Sequence, residues 1–234
     1  MKIKSSIYRS YPVKTKPWTY YQEWNQVLFM HWQVPYEVLV KCVPKNLILD
    51  DFNGTYWVSL VAFTMNQVKP RILPAVSAIS NFHEVNLRTY VKENNQPGVY
   101  FLSIEGEKRL SNFIAKNLSG LPYEKANIQR THKSYSSLNP HSGNSLQAQF
   151  SVQEPILTKD NLDIWLTERY CLYLYENGRK YRYEIDHEEW IINKVTFQHL
   201  DLNYKIGDSP LSLNPHRIHY SPGVKVIAWG KDKI

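Results

Sequence analysis

The sequence predicts an α+β fold dominated by β-strands, with antiparallel hairpins closing, or nearly closing, into a barrel. Three observations carry that prediction. Short apolar or alternating runs recur along the chain, the pairs Asn53-Gly54 and Asn177-Gly178 mark tight hairpin turns, and only two stretches show clear helical spacing. At 234 residues the chain fits one β-rich domain, and it buries enough surface to need no disulfide.

Residues 1–17 are polar and basic and read as an N-terminal arm closed by Pro17, with a single barrel domain over 18–234. The apolar run 27–32 suits a buried strand. Apolar positions Val38, Leu39 and Cys42 give a helix over 36–42, with Pro35 where a first helical turn tolerates it and Pro44 as its stop. Residues 47–50 lead to the Asn53-Gly54 turn, and 55–65 return as a long strand. Pro70 and Pro74 make 66–80 a loop. Residues 81–91 form the next strand, 94–98 a turn, and 99–105 its hairpin partner.

Leu110, Phe113, Ile114 and Leu118 predict the best helix, over 109–118, ended by Gly120 and Pro122. Residues 130–145 are rich in turn formers and give a loop or long hairpin connection. Beyond it lie a strand over 146–152 and a segment over 162–167 that fits a helix or the approach to a strand. Residues 168–175 pair across Asn177-Gly178 with 179–186. Strands over 190–197 and 218–229 complete the set, the last interrupted at Ser221-Pro222-Gly223.

Composition narrows the function. Cys42 and Cys171 follow no metal spacing and no disulfide framework, which fits a reducing cytoplasm, and no apolar run reaches membrane-spanning length. The eight histidines show no ligand spacing, so no metal or other cofactor is expected, and phosphate-loop and nucleophile motifs are absent. The formal charge of +7 and the 17 tyrosines allow nucleic-acid binding through the basic arm. Apart from that arm and Arg179, Lys180 and Arg182, the positive charges are scattered, which leaves nucleic acid the least favoured partner. Oligomerisation stays open.

Residues 81–91 organise the candidate site. Their alternation places His83, Val85, Leu87, Thr89 and Val91 on one face and Phe82, Glu84, Asn86, Arg88 and Tyr90 on the other. Facing water, the second row is an ordinary solvated strip. Facing a barrel interior, it is a polar strip in a confined cavity where carboxylates change pKa. Glu84 and Arg88 lie about 13 Å apart by strand rise, too far to pair but suited to holding opposite ends of a small ligand.

Several runs together resemble the YqjF-like family of uncharacterised bacterial proteins: Phe29-Met30-His31-Trp32-Gln33-Val34-Pro35, Asn86-Leu87-Arg88-Thr89-Tyr90-Val91, Leu166-Thr167-Glu168-Arg169-Tyr170 and His219-Tyr220-Ser221-Pro222-Gly223-Val224. That resemblance spans almost the whole chain after residue 17. It implies the acetoacetate decarboxylase-like superfamily, hence a cone-shaped antiparallel barrel with a few short flanking helices and a central cavity.

Phe82-His83-Glu84 is similar to the decarboxylase run that supplies an active-site carboxylate. Leu118-Ser119-Gly120-Leu121-Pro122 is similar to the run leading into its catalytic lysine pair. Here the chain continues Tyr123-Glu124 instead, and the arginine expected before the first strand is replaced near Asn25 or Gln26. Decarboxylation by that route needs an amine to form an iminium, which neither Tyr nor Glu supplies. Lys125 would fall on the wrong face, and Lys116 lies a turn upstream.

The expected function is therefore an interior site for a small, partly apolar carbonyl or carboxylate ligand. Glu84 would act as acid or base and Tyr123 as an orienting phenol, with Asn86, Arg88, Glu168 and Tyr170 as ligand-binding candidates. Whether the protein is an enzyme is left open by the residues: proton transfer or hydrolysis beside a carbonyl without a Schiff base is the first reading. A non-catalytic small-molecule binder and a basic nucleic-acid binder are the alternatives.

Overall fold

The computed structural model describes residues 3–76, 80–107, 121 and 123–234. The helix predicted over 109–118, Lys116, and Ser119, Gly120 and Pro122 lie outside the described residues.

The first strand, β1 (Tyr20–Gln33), is followed by helix α1 (Tyr36–Leu39), a short β2 (Ile48–Leu49), β3 (Trp57–Pro70), β4 (Phe82–Glu93) and β5 (Gln96–Gly106). Shorter strands β6 (Tyr123–Lys125), β7 (Asn127–Arg130) and β8 (Ser134–Leu138) lead to β9 (Ser145–Pro155) and helix α2 (Asn161–Thr167). The chain then forms β10 (Cys171–Glu176), β11 (Arg179–His187), β12 (Asn193–Asn203), β13 (Lys205–Ile206), β14 (Ser209–Pro210), β15 (Arg217–Ala228) and β16 (Asp232–Lys233).

Seven strands in the order β11-β10-β5-β4-β3-β1-β15 make the barrel, and β15 pairs back onto β11 through Ile185–Ala228, Asp186–Ile227 and His187–Val226. All neighbours in this ring are antiparallel except β5 and β10, so the barrel is mixed rather than purely antiparallel. A second layer, β12-β9-β8-β7, continues from the edge of β15.

Alternation divides the barrel wall into two apolar faces. Val27 and Phe29 of β1, Val61, Phe63 and Met65 of β3 and Phe82 of β4 point inward with Trp190 and Val226. Leu28 and Met30, Leu60 and Ala62, and Val85 and Leu87 point outward, where the second layer covers them with Tyr135, Leu146 and Phe150. The larger core thus lies outside the barrel, which frees the interior for polar groups.

Several sequence boundaries move. Strand β3 runs on to Pro70, into the first part of the predicted 66–80 loop. Strand β15 passes straight through Ser221-Pro222-Gly223. Gly223 has φ +137° and lies so close to β1 that a Cβ there would stand 2.4 Å from the Trp24 carbonyl oxygen, so the expected break is instead a tight strand crossing. The residues from 162 settle as a helix because Asp160 accepts from the Asp163 amide at 2.7 Å while Asp163 returns a bond to the Asp160 amide at 3.1 Å. That helix delays β10 to Cys171, which takes Glu168, Arg169 and Tyr170 out of the strand predicted for them.

The N-terminal arm is docked on the barrel. Arg9 is buried, paired with Glu184 at 2.5 Å and Asp186 at 3.4 Å, and stacked over the rings of Tyr11 and Tyr170. Lys14 pairs with Asp232. No helix among the described residues is long and apolar enough to cross a membrane.

Candidate functional site

The barrel encloses a cavity of about 110 Å³. Phe29, Val61, Phe63 and Met65 form much of its apolar wall, and β4 lays Glu84, Asn86 and Arg88 along it. These three are almost fully buried, so the charged row of β4 faces the interior and not water.

Glu84 sits at one end of the row. Its Oε1 accepts from Asn86 Nδ2 at 3.0 Å and its Oε2 accepts from the Tyr123 hydroxyl at 3.0 Å. Burial raises the Glu84 carboxyl to about 7, against the lowering effect of these two donors and of the Arg88 charge. Burial and the neighbouring carboxyl push the Tyr123 phenol well up, so it stays a proton donor across the working pH range. Tyr123 is brought there by the parallel pairing of β6 with β5, which sets it beside Ile104. Lys125 is exposed on the same short strand, and among the described residues no lysine lines the cavity.

The elevated Glu84 value has a stability consequence. Between its ordinary 4.5 and about 7 the folded protein holds a proton that the unfolded chain releases. Stability from this group is therefore complete below pH 4.5 and is lost as pH rises through 7, by about 3 kcal/mol in all. Glu84→Gln should match the parent near pH 4 and be the more stable protein at pH 8. Urea unfolding at the two pH values checks this; equal midpoints at pH 8 would contradict it.

Arg88 sits at the other end. Its guanidinium lies 5.7 Å from the Phe29 ring centroid with the Tyr90 hydroxyl beside it, and among the described residues it makes no ion pair. Burial opposes its charge. Arg169 also lines the cavity but is neutralised by Asp50 at 2.7 Å.

Buried polar atoms without partners gather here. Among the described residues, Trp24 Nε1, Asn86 Oδ1, Arg88 Nε, Arg169 Nη2, Tyr183 Oη and His187 Nε2 are all buried without a hydrogen bond, and all belong to side chains lining this one cavity. His187 Nδ1 lies 2.7 Å from the Glu188 carbonyl, so that nitrogen carries the proton and Nε2 presents a lone pair. Burial holds the ring neutral by lowering its proton affinity.

Glu168 and Tyr170 correct the sequence reading, since neither lines the cavity. Glu168 is buried and paired within the protein. It accepts from Lys159 at 3.3 Å, from the Trp190 amide at 3.1 Å and from the Tyr170 hydroxyl. Their neighbours Thr167 and Arg169 line the cavity in their place, because the turn out of α2 breaks the strand alternation on which the assignment rested. His187 and Trp24 were also missed. Both sit in runs with no motif, and only the β11–β15 closure brings His187 inward. Among the described residues no three His, Cys, Asp or Glu side chains converge to hold a metal.

Comparison with known proteins places this geometry. The solved structures that resemble it include an acetoacetate decarboxylase-like enzyme from Sphingomonas wittichii RW1, with a TM-score of 0.60 at 13% identity over 96% of each chain. Another is the enduracididine biosynthesis enzyme MppR complexed with pyruvate, with a TM-score of 0.57 at 11% identity over 96% of this chain and 92% of that one. Identities this low carry the fold and nothing of the chemistry. In sequence, the chain is 33% identical over 222 residues to the uncharacterized protein YqjF of Bacillus subtilis (strain 168), covering 91% of each. The DUF2071 family, described as an uncharacterized conserved protein, matches residues 21–225, and the chain belongs to it.

Proposed function

We propose that the protein binds a small, partly apolar carboxylate inside the barrel and moves a proton beside its carbonyl group without forming a Schiff base. The observation that carries this reading is the set of six unpartnered buried polar atoms around one cavity. Each would cost about 1–3 kcal/mol if nothing satisfied it, so their concentration at one place calls for a polar occupant. Arg88, a buried cation with no counter-ion among the described residues, supplies the site for a carboxylate by its planar fork. The cavity volume suits roughly the size of a small keto acid, somewhat below that of a benzene-sized void.

At the far end, a carboxyl poised near 7 can take a proton from carbon at neutral pH and return it. The Tyr123 phenol orients it. The pyruvate complex of MppR offers a probe ligand, which is a property of that protein and a starting point for this one.

The test is hydrogen–deuterium exchange at the methyl group of pyruvate in D2O, followed by proton NMR, with borohydride added in a parallel sample. Exchange that is lost in Glu84→Gln, with no adduct trapped by borohydride, is the expected result. A covalent adduct would overturn the route without a Schiff base. Pyruvate bound without exchange would select the non-catalytic binder, for which the existing bonds to both Glu84 oxygens already speak. The nucleic-acid reading loses two of the arm's charges, since Arg9 and Lys14 are paired with Glu184, Asp186 and Asp232.

A further inference from the structure

A second buried cluster lies behind Arg88 and takes no part in the chemistry above. His31, His219, Ser59 and Tyr90 are all buried, and they form one hydrogen-bonded series with Asp163. Asp163 Oδ1 lies 2.8 Å from His219 Nε2, His219 Nδ1 lies 3.2 Å from His31 Nε2, and His31 Nδ1 lies 2.6 Å from Ser59 Oγ. Ser59 Oγ is 2.5 Å from the Tyr90 hydroxyl, which reaches the Leu166 carbonyl at 2.9 Å. One end opens to a surface groove lined by Asp160, Asp163, Lys194, His216, Arg217 and His219. The other ends at Tyr90, beside Arg88 and the cavity.

With both imidazoles neutral the series is one proton short. Apart from a longer cross-contact of 3.4 Å between the Tyr90 hydroxyl and His31 Nδ1, its five successive contacts each need a proton between their heavy atoms. With Asp163 ionised and both rings neutral, the two imidazoles, the serine and the tyrosine supply four. Asp163 is ionised: burial pushes its carboxyl up, but the bond from His219, the Asp160 amide and Arg217 together bring it below its ordinary value. If Asp163 accepts from His219 and the neutral rings hand the bonds on in turn, Tyr90 must donate to Ser59 and leaves the Leu166 carbonyl without it. One added proton satisfies every contact, with an imidazolium facing Asp163.

What opposes that proton is burial first and charge second. Burial disfavours a charged His31 ring, as do His219 beside it, Arg88 from the cavity side and Arg217 from the groove side. Arg217 is already balanced by Asp160 at 3.0 Å and Asp163 at 3.3 Å, and Arg169, against the Tyr90 ring, by Asp50. Glu84 lies farther along β4 and is bonded to Asn86 and Tyr123. Among the described residues around the pair, Arg88 is the cation without an ion pair, and its neutralisation is what an anionic ligand brings.

We propose that the His31–His219 pair is a proton-binding site coupled to the anion site at Arg88, so that occupation of Arg88 by a carboxylate draws one proton into the series from the groove beside Asp163. This rests on the carboxylate reading of the cavity, so one arm of the test needs no ligand. In that arm the imidazole nitrogens are followed by NMR against pH in the parent, Arg88→Met and Arg88→Lys. The midpoint for protonating the pair should rise by about one pH unit in the methionine variant and stay put in the lysine variant. An unmoved midpoint in Arg88→Met overturns the coupling.

In the second arm, pyruvate is titrated calorimetrically in buffers of different ionisation enthalpy, in the Glu84→Gln background so that this carboxyl contributes no proton. Uptake close to one proton, lost when His31→Gln is added, is expected. Binding with no uptake overturns the proposal. A shifted midpoint together with no pyruvate binding would support the coupling while refuting the carboxylate reading.

Discussion

Replacing Asp50 with alanine is expected to destabilise the protein by about 3–5 kcal/mol, because it strands the buried Arg169 charge. Asp50 accepts from Arg169 Nη1 at 2.7 Å, and Lys92, its other partner at 3.2 Å, is half-exposed and can turn to water. Arg169 has no such escape. Its Nε is fixed on the Trp165 carbonyl at 2.7 Å, and its guanidinium lies 4.2 Å from the Trp165 ring centroid and 4.9 Å from that of Tyr90. A urea midpoint that falls without a change in slope would confirm the loss. Adding Arg169→Met to Asp50→Ala should recover most of it, since the penalty belongs to the charge left alone and not to the pair.

Arg88→Met should act in the opposite sense on stability. Here the parent already carries the unpaired charge, so an unbranched apolar side chain against Phe29 is expected to raise the stability of the ligand-free protein by about 1–3 kcal/mol. The same change should weaken carboxylate binding at least about 100-fold, the loss of a charge-assisted, two-pronged contact in a dry site. A melt and a titration on one sample decide both. A variant that is less stable and still binds would show that Arg88 holds the barrel together. The reverse pattern is what a residue kept for its ligand produces.

The contrast between the two arginines explains why one was legible in the sequence and the other was not. Arg88 stands in a strand whose period-two alternation puts it in line with Glu84 and Asn86, and that row does share one face in the barrel. Arg169 follows a helix whose reciprocal Asp160 and Asp163 cap is readable only once the helix is known to start there. Treating 168–175 as one strand therefore chose Glu168 and Tyr170 where the cavity takes Thr167 and Arg169. Tyr123 is marked in the sequence only by the similarity of the run before it. Its contact with Glu84 depends on a parallel pairing that no local pattern announces.

From its sequence alone this protein had a β-rich barrel, its hairpin at Asn177-Gly178 and a tight turn at Asn53-Gly54 (whose leading strand pairs with β4 rather than β3), its family resemblance, and the polar row of β4, with Tyr123-Glu124 where the resemblance would put a lysine pair. These follow from alternation, turn preference and residue type, which act over a few neighbouring positions. The folded chain decided what those rules do not reach: that the row faces inward, that His187 joins it through the β11–β15 closure, and that His31 and His219 meet although 188 positions separate them. Pairings across such separations are set by how the whole barrel closes and by which groups burial then forces to find partners.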